Sequence, residues 1–450
     1  MNPSSGVVEG GRDAGLVRSV GLFAFLTTII NCVIGAGIYR LPAEMAHLSG
    51  AYSPFAYLAC AIAMGAVALC YGEAGSRVPT SGGPYGFIDA AMGGSVGFVS
   101  GVMVWLAGAL AAGGISVAFA ETMGVLVPSM AGPLWRNILI VLVTVVFTTV
   151  NLASVATAAR IISWATLVKL MPLIVFLAAG AFAVHGENYT PPDTFDVGAF
   201  GRASVLGLFA FTGMETALGA SGEVRDPART VPRALLWAMG IVAVAYVAIQ
   251  VVAQGLLGPA LGGSPAPIAD GLATVSPALR NLVLAGMLVS MLGWLTGNAL
   301  GSPRVLFAFA RDGLLPKAMG KVHPKTRVPH VAIIANSVIT MSLALSGTFT
   351  KLVVLSTLAA AIVYFMGCIA CLILRKRDVK SVGEPLKLRI TPVIAVVGML
   401  GMAAIVSQAT KDEIIASIGT IVFCLGYYFV LRKLGRVGPT AVAQAQPQPQ

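Results

Sequence analysis

The sequence predicts an all-α integral membrane protein of twelve transmembrane helices, and three observations carry that expectation. Charged residues make up 10% of the 450, against about 25% in ordinary soluble proteins, and the mean hydropathy is +0.87. Twelve runs of about 20 apolar residues follow one another, most of them joined by loops too short for a soluble domain. Two of those runs, the first and the sixth, are interrupted halfway. Counted five to a unit, the interrupted helices hold the same place in two successive units, and an odd number of helices inverts the second copy. This predicts a five-plus-five inverted repeat with its site at the midplane, plus two extra helices.

In chain order the helices are expected at about Leu16 to His47, Pro54 to Ala74, Val96 to Val127, Asn137 to Leu152, Ile161 to Val184 and Ala203 to Gly222. The second set is Arg233 to Leu257, Leu279 to Ala310, Val331 to Ser346, Leu352 to Leu374, Thr391 to Ser407 and Glu413 to Leu431. The expected divisions are a cytoplasmic tail over 1–15, a transporter domain over 16–431 and a disordered Ala/Gln/Pro-rich tail over 432–450. Within the domain, repeat one covers about 16–184, repeat two about 203–374, and the extra helices 391–431. Met1 to Ala14 is polar and the first apolar run far exceeds a signal-peptide core, so no cleavable signal is expected.

Basic residues set the orientation. With the amino terminus inside, Arg40, Arg136, Arg202, Arg280, Lys351 and Lys411 fall outside, Lys169 lies mid-membrane, and the other 22 of the 29 Lys and Arg face the cytoplasm. Both termini are therefore expected in the cytoplasm, with the protein in the inner (cytoplasmic) membrane. The net charge of +11 needs no nucleic acid as partner, because it concentrates in inner loops where anionic lipid headgroups are its neighbours.

The first interruption is Gly35-Ala36-Gly37 within TTIINCVIGAGIYRLP. Each glycine costs a helix about 1 kcal/mol relative to alanine, so two at bilayer depth read as a deliberate break. The freed backbone groups must line a cavity, since lipid cannot bond them. The second interruption lies in LFAFTGMETALG, where Gly213 is followed by an acid, Glu215, in an apolar run. Lys169 sits near the centre of the fifth run, where a charge costs about 2.5 to 3.5 kcal/mol to insert and must face protein. Cys32, Cys60, Cys70, Cys368, Cys371 and Cys424 all fall within or beside apolar runs, which argues for packing rather than a disulfide framework or a metal site. The four histidines lie at helix ends or in loops, so no intramembrane histidine relay is expected.

Four motifs carry a resemblance. They are VIGAGIYRLP (Val33 to Pro42), YGEAGSRVPTSGGPYGF (Tyr71 to Phe87), FTGME (Phe211 to Glu215) with GEVRDPARTVPRA (Gly222 to Ala234), and SPRVLFAFARDGLLP (Ser302 to Pro316) with KVHPK behind it. On these the chain resembles the amino acid-polyamine-organocation (APC) superfamily from about Leu16 to Leu431. The resemblance implies a leucine-transporter-type fold that moves amino acids or related amines by alternating access. It implies a substrate site at both breaks. Amides of Ala36, Gly37 and Ile38, with Gly35 and Gly213 opening the backbone, would hold a carboxylate at a helix N-terminus. Carbonyls of Val33, Ile34, Phe211 and Thr212 would accept from an ammonium. Phe209 and Trp294 match positions where relatives place aromatics around substrate, with Trp105 a weaker match.

Glu215 reads either as a partner for a cationic substrate or proton, or as a structural acid bonded to exposed amides. In proton-coupled relatives a fifth-helix lysine occupies the place of a sodium ion used by other members, which assigns proton coupling to Lys169; the bland alternative is an always-charged tether on helix-one carbonyls. The cluster Arg225, Asp226, Arg229 and Arg233 reads as inner-gate ion pairs or as topology-setting charge. Animal relatives that pair with a glycoprotein subunit use a cysteine between helices three and four, and Pro128 to Asn137 has none, so no such partner is expected.

Catalysis and nucleotide binding have no candidate, and no cofactor or metal is expected. The dinucleotide fingerprint fails at Arg40 and no Walker sequence occurs. The expected function is proton-coupled, sodium-independent amino acid transport; an amino acid/amine antiporter, and a sensor or channel on the same fold, stand as alternatives.

Overall fold

The computed structural model describes residues 18, 20–35, 37–79, 83–153, 169–190, 194–219, 221–326, 328–380 and 384–435. Ala36, residues 161–168 of the expected fifth helix, residues 80–82 of the second motif and most of both tails lie outside the described residues. In chain order the α-helices are α1 (Leu22–Val33), α2 (Gly37–Ser49), α3 (Ser53–Arg77), α4 (Pro84–Met92), α5 (Gly94–Leu126), α6 (Pro133–Ala153), α7 (Lys169–Gly180), α8 (Val197–Ala210) and α9 (Met214–Leu218). There follow α10 (Pro227–Leu257), α11 (Pro267–Ala273), α12 (Pro277–Arg311), α13 (His330–Ser346), α14 (Phe349–Lys376), α15 (Thr391–Val406) and α16 (Lys411–Lys433).

Among the described residues, eight helical stretches are long and apolar enough to cross a membrane, and four shorter apolar helices (α1, α7, α13 and α15) accompany them. The expected first helix is divided at Ile34, which adopts φ −73 and ψ 94 and stops α1 after 12 residues. The expected sixth helix is divided at 211–213, between α8 and α9. Two short helices, α4 and α11, were not expected, because neither nine nor seven residues gives a membrane-length run.

The bundle packs α3 against α10, α14 and α15, and α5 against α14, α12, α13 and α4. At the centre, α3 and α5 are built mostly of apolar and small residues and are largely buried, as suits helices enclosed by others. On the outside, α6, α15 and α16 present Leu134, Val145, Val393, Leu400, Ile418 and Phe423 outward, an apolar face suited to lipid. The start of α1 is tied to the exit of α9 by two backbone bonds: Val20 N–H donates to Glu223 O at 3.0 Å, and Arg225 N–H donates to Val20 O at 2.8 Å. This is an isolated parallel bridge.

At one end of the bundle α3, α14 and α15 meet in a buried charge network that the sequence did not announce. Glu73 accepts from Arg77 at 2.8 Å, from Arg375 at 2.9 Å and from Thr391 Oγ1 at 2.7 Å. Arg77 also donates to Val379 O and faces Asp378, so the chain leaving α14 is folded back under α3. Lys387 lies 2.7 Å from Asp378 and holds that carboxyl below its usual range. Glu73 and Arg77 are 1% and 0% exposed at their side chains. Glu73→Ala removes the buried acceptor shared by Arg77, Arg375 and Thr391, leaving Arg77 only Val379 O and the half-exposed Asp378, and breaking a buried pair in this way costs up to about 3 to 5 kcal/mol. The expected result in a thermal unfolding series of purified protein is a large loss of stability for Glu73→Ala and a smaller one for the partly exposed Arg375→Ala.

Candidate functional site

A helix that stops inside a membrane leaves its last four carbonyls without helical donors, and at the end of α1 each of those carbonyls has one. Ile30 O accepts from Ile34 N–H at 2.9 Å. Asn31 O accepts from Lys169 Nζ at 2.5 Å, and the same ammonium donates to Ile34 O at 2.8 Å. Cys32 O accepts from Trp294 Nε1 at 3.0 Å, and Val33 O from Tyr246 Oη at 3.3 Å. The donors come from α7, α12 and α10. An ammonium at this end also meets the negative pole of the α1 dipole, which favours it.

Lys169 is fully buried. Its backbone carbonyl accepts from Tyr39 Oη of α2 at 2.6 Å. The Cys32 thiol interacts electrostatically with its ammonium and with the Glu215 carboxyl.

The second break lies against the first. Gly213 has φ +119, a conformation other residues rarely adopt, and a Cβ there would strike the Cys32 carbonyl. Thr212 Oγ1 donates to Phe209 O at 2.8 Å, closing the end of α8. At the start of α9, Glu215 Oε2 accepts from Gly213 N–H at 3.0 Å and from Tyr364 Oη of α14 at 2.6 Å. The acid thus caps the N-terminus of its own half-helix and ties it to α14. Phe211 is buried edge-on against the rings of Tyr57 and Tyr246.

The aromatic pair sits directly on the first break. A Cβ on Gly35 would lie 3.0 Å from Trp294 Cδ1, and one on Gly37 would lie 3.1 Å from Phe209 Cδ1. The amides of Gly37 and Ile38 open α2, at the positive pole of that half-helix. Gly35, Gly37, Ile38, Phe209, Gly213, Glu215, Trp294 and Lys169 are thereby brought around one locus. Val33 and Ile34 carbonyls, expected as acceptors for a substrate ammonium, already receive Tyr246 and Lys169.

Trp105 Nε1 donates to Asn336 Oδ1 at 3.0 Å, joining α5 to α13. Beside this bond a cavity of about 30 Å³ runs between α5, α6, α12 and α13, lined by Ser116, Thr144, Asn336 and Thr340; it has room for about one water. In the basic cluster, Asp226 and Arg229 make an exposed ion pair at 4.0 Å. The donors Tyr246 and Tyr364 were missed in the sequence, although a phenol within an apolar helix is itself a sign that a buried acceptor waits nearby.

Two helices broken against each other inside an apolar bundle, with the positive pole of α2 opening at the same locus, fit a membrane transport protein. The chain belongs to the amino acid permease family, within the APC superfamily: the model of that family, described as amino acid permease, matches residues 20–430. It is 26% identical over 384 residues to the branched-chain amino acid permease BcaP of Bacillus subtilis, covering 81% of this chain and 82% of that one. It is 27% identical over 411 residues to the BcaP of Lactococcus lactis subsp. cremoris, covering 84% and 86%. An uncharacterised transporter of Mycobacterium tuberculosis is 28% identical over 429 residues, covering 94% and 93%.

Replacing Gly37 with leucine must drive Phe209 and Leu41 aside, because a Cβ there already meets them at 3.1 and 3.3 Å. The expected outcome is a protein that still inserts but has lost uptake. Near-native uptake at subsaturating substrate, measured on protein of native abundance in the membrane, would place the site elsewhere.

Proposed function

We propose that this permease is a secondary active transporter of a neutral, zwitterionic amino acid, coupled to protons and independent of sodium, working by alternating access. The observation that carries the reading is the Lys169 ammonium on the carbonyls of Asn31 and Ile34. A sodium ion at that place would need those oxygens as ligands, and the lysine already takes them. Charge-assisted hydrogen bonds contribute about 1.5 to 3 kcal/mol each, so removing the proton weakens the hold on α1 by a factor of ten or more in the population of the released state. Protonated, Lys169 ties the broken helix to α7 and favours the outward-facing state. Neutral, with its proton given up to the cytoplasm, it lets α1 move.

The substrate reading follows from the groups gathered at the two breaks. The amides of Gly37 and Ile38 suit a carboxylate, the carbonyls of Phe211 and Thr212 suit an ammonium, and the rings of Phe209 and Trp294 suit an apolar side chain. Glu215 is engaged by Gly213 and Tyr364, which favours a neutral substrate over the cationic one of an amine antiporter. Two relatives carry the name branched-chain amino acid permease, so leucine, isoleucine and valine are the substrates to try first. The architecture we propose is twelve spans in two inverted five-helix repeats, about 16–184 and 203–374, with extra helices over 391–431. Both termini lie in the cytoplasm, and the inner-loop arginines and lysines lie against anionic lipid.

In proteoliposomes, uptake of labelled leucine, isoleucine or valine is expected to rise with an inward proton gradient, to ignore sodium, and to be uncoupled or lost in Lys169→Ala. Counterflow is expected as well, which neither a channel nor a sensor shows. Sodium-dependent uptake, with Lys169→Ala still answering to pH, would contradict the proposal. Glu215→Gln keeps an acceptor but removes charge; a lower stability with the neutral preference retained is expected, and loss of uptake for a cationic substrate alone would restore the antiporter reading.

A further inference from the structure

Lys169 is held at two points to two different pieces of chain. Its ammonium donates to Asn31 O and Ile34 O, at the end of α1. Its backbone carbonyl accepts from Tyr39 Oη at 2.6 Å, and Tyr39 lies in α2, two residues past Gly37. One residue of α7 therefore grips both halves of the broken helix, through groups of different kind. The phenol-to-carbonyl bond joins neutral, fully buried partners, and no proton transfer at the ammonium alters it. The ammonium bonds depend on charge.

We infer that Tyr39 is a positioning residue of the transport cycle: it fixes α7 to α2, so that when the Lys169 ammonium lets go, α1 alone is freed. The inference rests on the reading of Lys169 as the coupling group. Tyr39 is 0% exposed and its hydroxyl is committed to α7, so it has no part in touching substrate. Packing of Pro172 and Phe176 against α12 and α11 still holds α7, but without the bond α7 loses its direct tie to α2, and releasing the ammonium separates the two halves of the helix less cleanly.

The test is Tyr39→Phe in proteoliposomes, with initial rates normalised to folded transporter recovered by size exclusion. Loss of one such bond is expected to lower Vmax roughly three- to tenfold and to leave KM within about twofold, since the substrate-facing groups are untouched. A residue that served only the packing would change the yield of folded protein and leave the rate per folded molecule alone. Incorporation of 4-aminophenylalanine at position 39, which keeps a donor at the tip of the ring, is expected to restore the rate. If the phenylalanine protein is not recovered, 4-methylphenylalanine against 4-aminophenylalanine makes the same comparison at similar volume. A native Vmax, a loss borne by KM alone, or an equal loss with and without the donor overturns the inference. Lys169→Ala is run alongside: if it remains proton-driven, the coupling reading has failed, whereas an uncoupled Lys169→Ala beside a native Tyr39→Phe removes only the positioning role.

Discussion

The carbonyls at the end of α1 are the constraint on which the site is built. A helix stopped at Val33 inside an apolar bundle leaves acceptors that neither lipid nor water can satisfy, and each unsatisfied one costs a few kcal/mol. The chain meets that demand with side chains from three other helices: Lys169, Tyr246 and Trp294. Each is a donor on an apolar scaffold, and each fixes the distance of its own helix from the break. The second break follows from the first. Gly213 is glycine because the Cys32 carbonyl occupies the space a side chain would need.

Bonds of this kind hold a structure firmly and can still be exchanged. A network such as Glu73 with Arg77 and Arg375 pairs groups of opposite charge, with Glu73 and Arg77 buried. It joins α3, α14 and α15 through one buried carboxylate. The end of α1 differs, because its donors are an ammonium, a phenol and an indole, and one of the three carries a proton it can lose. A substrate whose charged ends compete for the same helix poles would act on that balance at the point where it is most easily tipped.

Much of this was legible in the sequence, and the limits have a physical cause. Glycines at 35 and 37, and Gly213 before an acid, announced the breaks because a helix in lipid cannot tolerate them idly. Lys169 and Glu215 announced themselves as ionisable groups at a depth where none is carried without a partner. The partners were hidden. Nothing near Val33 indicates that its carbonyl is bonded by a tyrosine 213 residues further on, and nothing near Trp105 points to Asn336. Glu73 and Arg77 stood in a recognised motif, but their spacing of one helical turn suits an ordinary surface pair as well as a buried network. Partner choice is decided by tertiary packing, and periodicity carries no record of it.

The most direct measurement is the separation between Lys169 Nζ and the carbonyl oxygens of Asn31 and Ile34 in an experimentally determined structure of the inward-open transporter. If the ammonium is the releasable tether, those contacts are broken there, α1 is displaced from α7, and α2 is still in place. An inward-open structure in which Lys169 still bonds both carbonyls would contradict this: α1 and α7 would then move together, and the proton would act somewhere else.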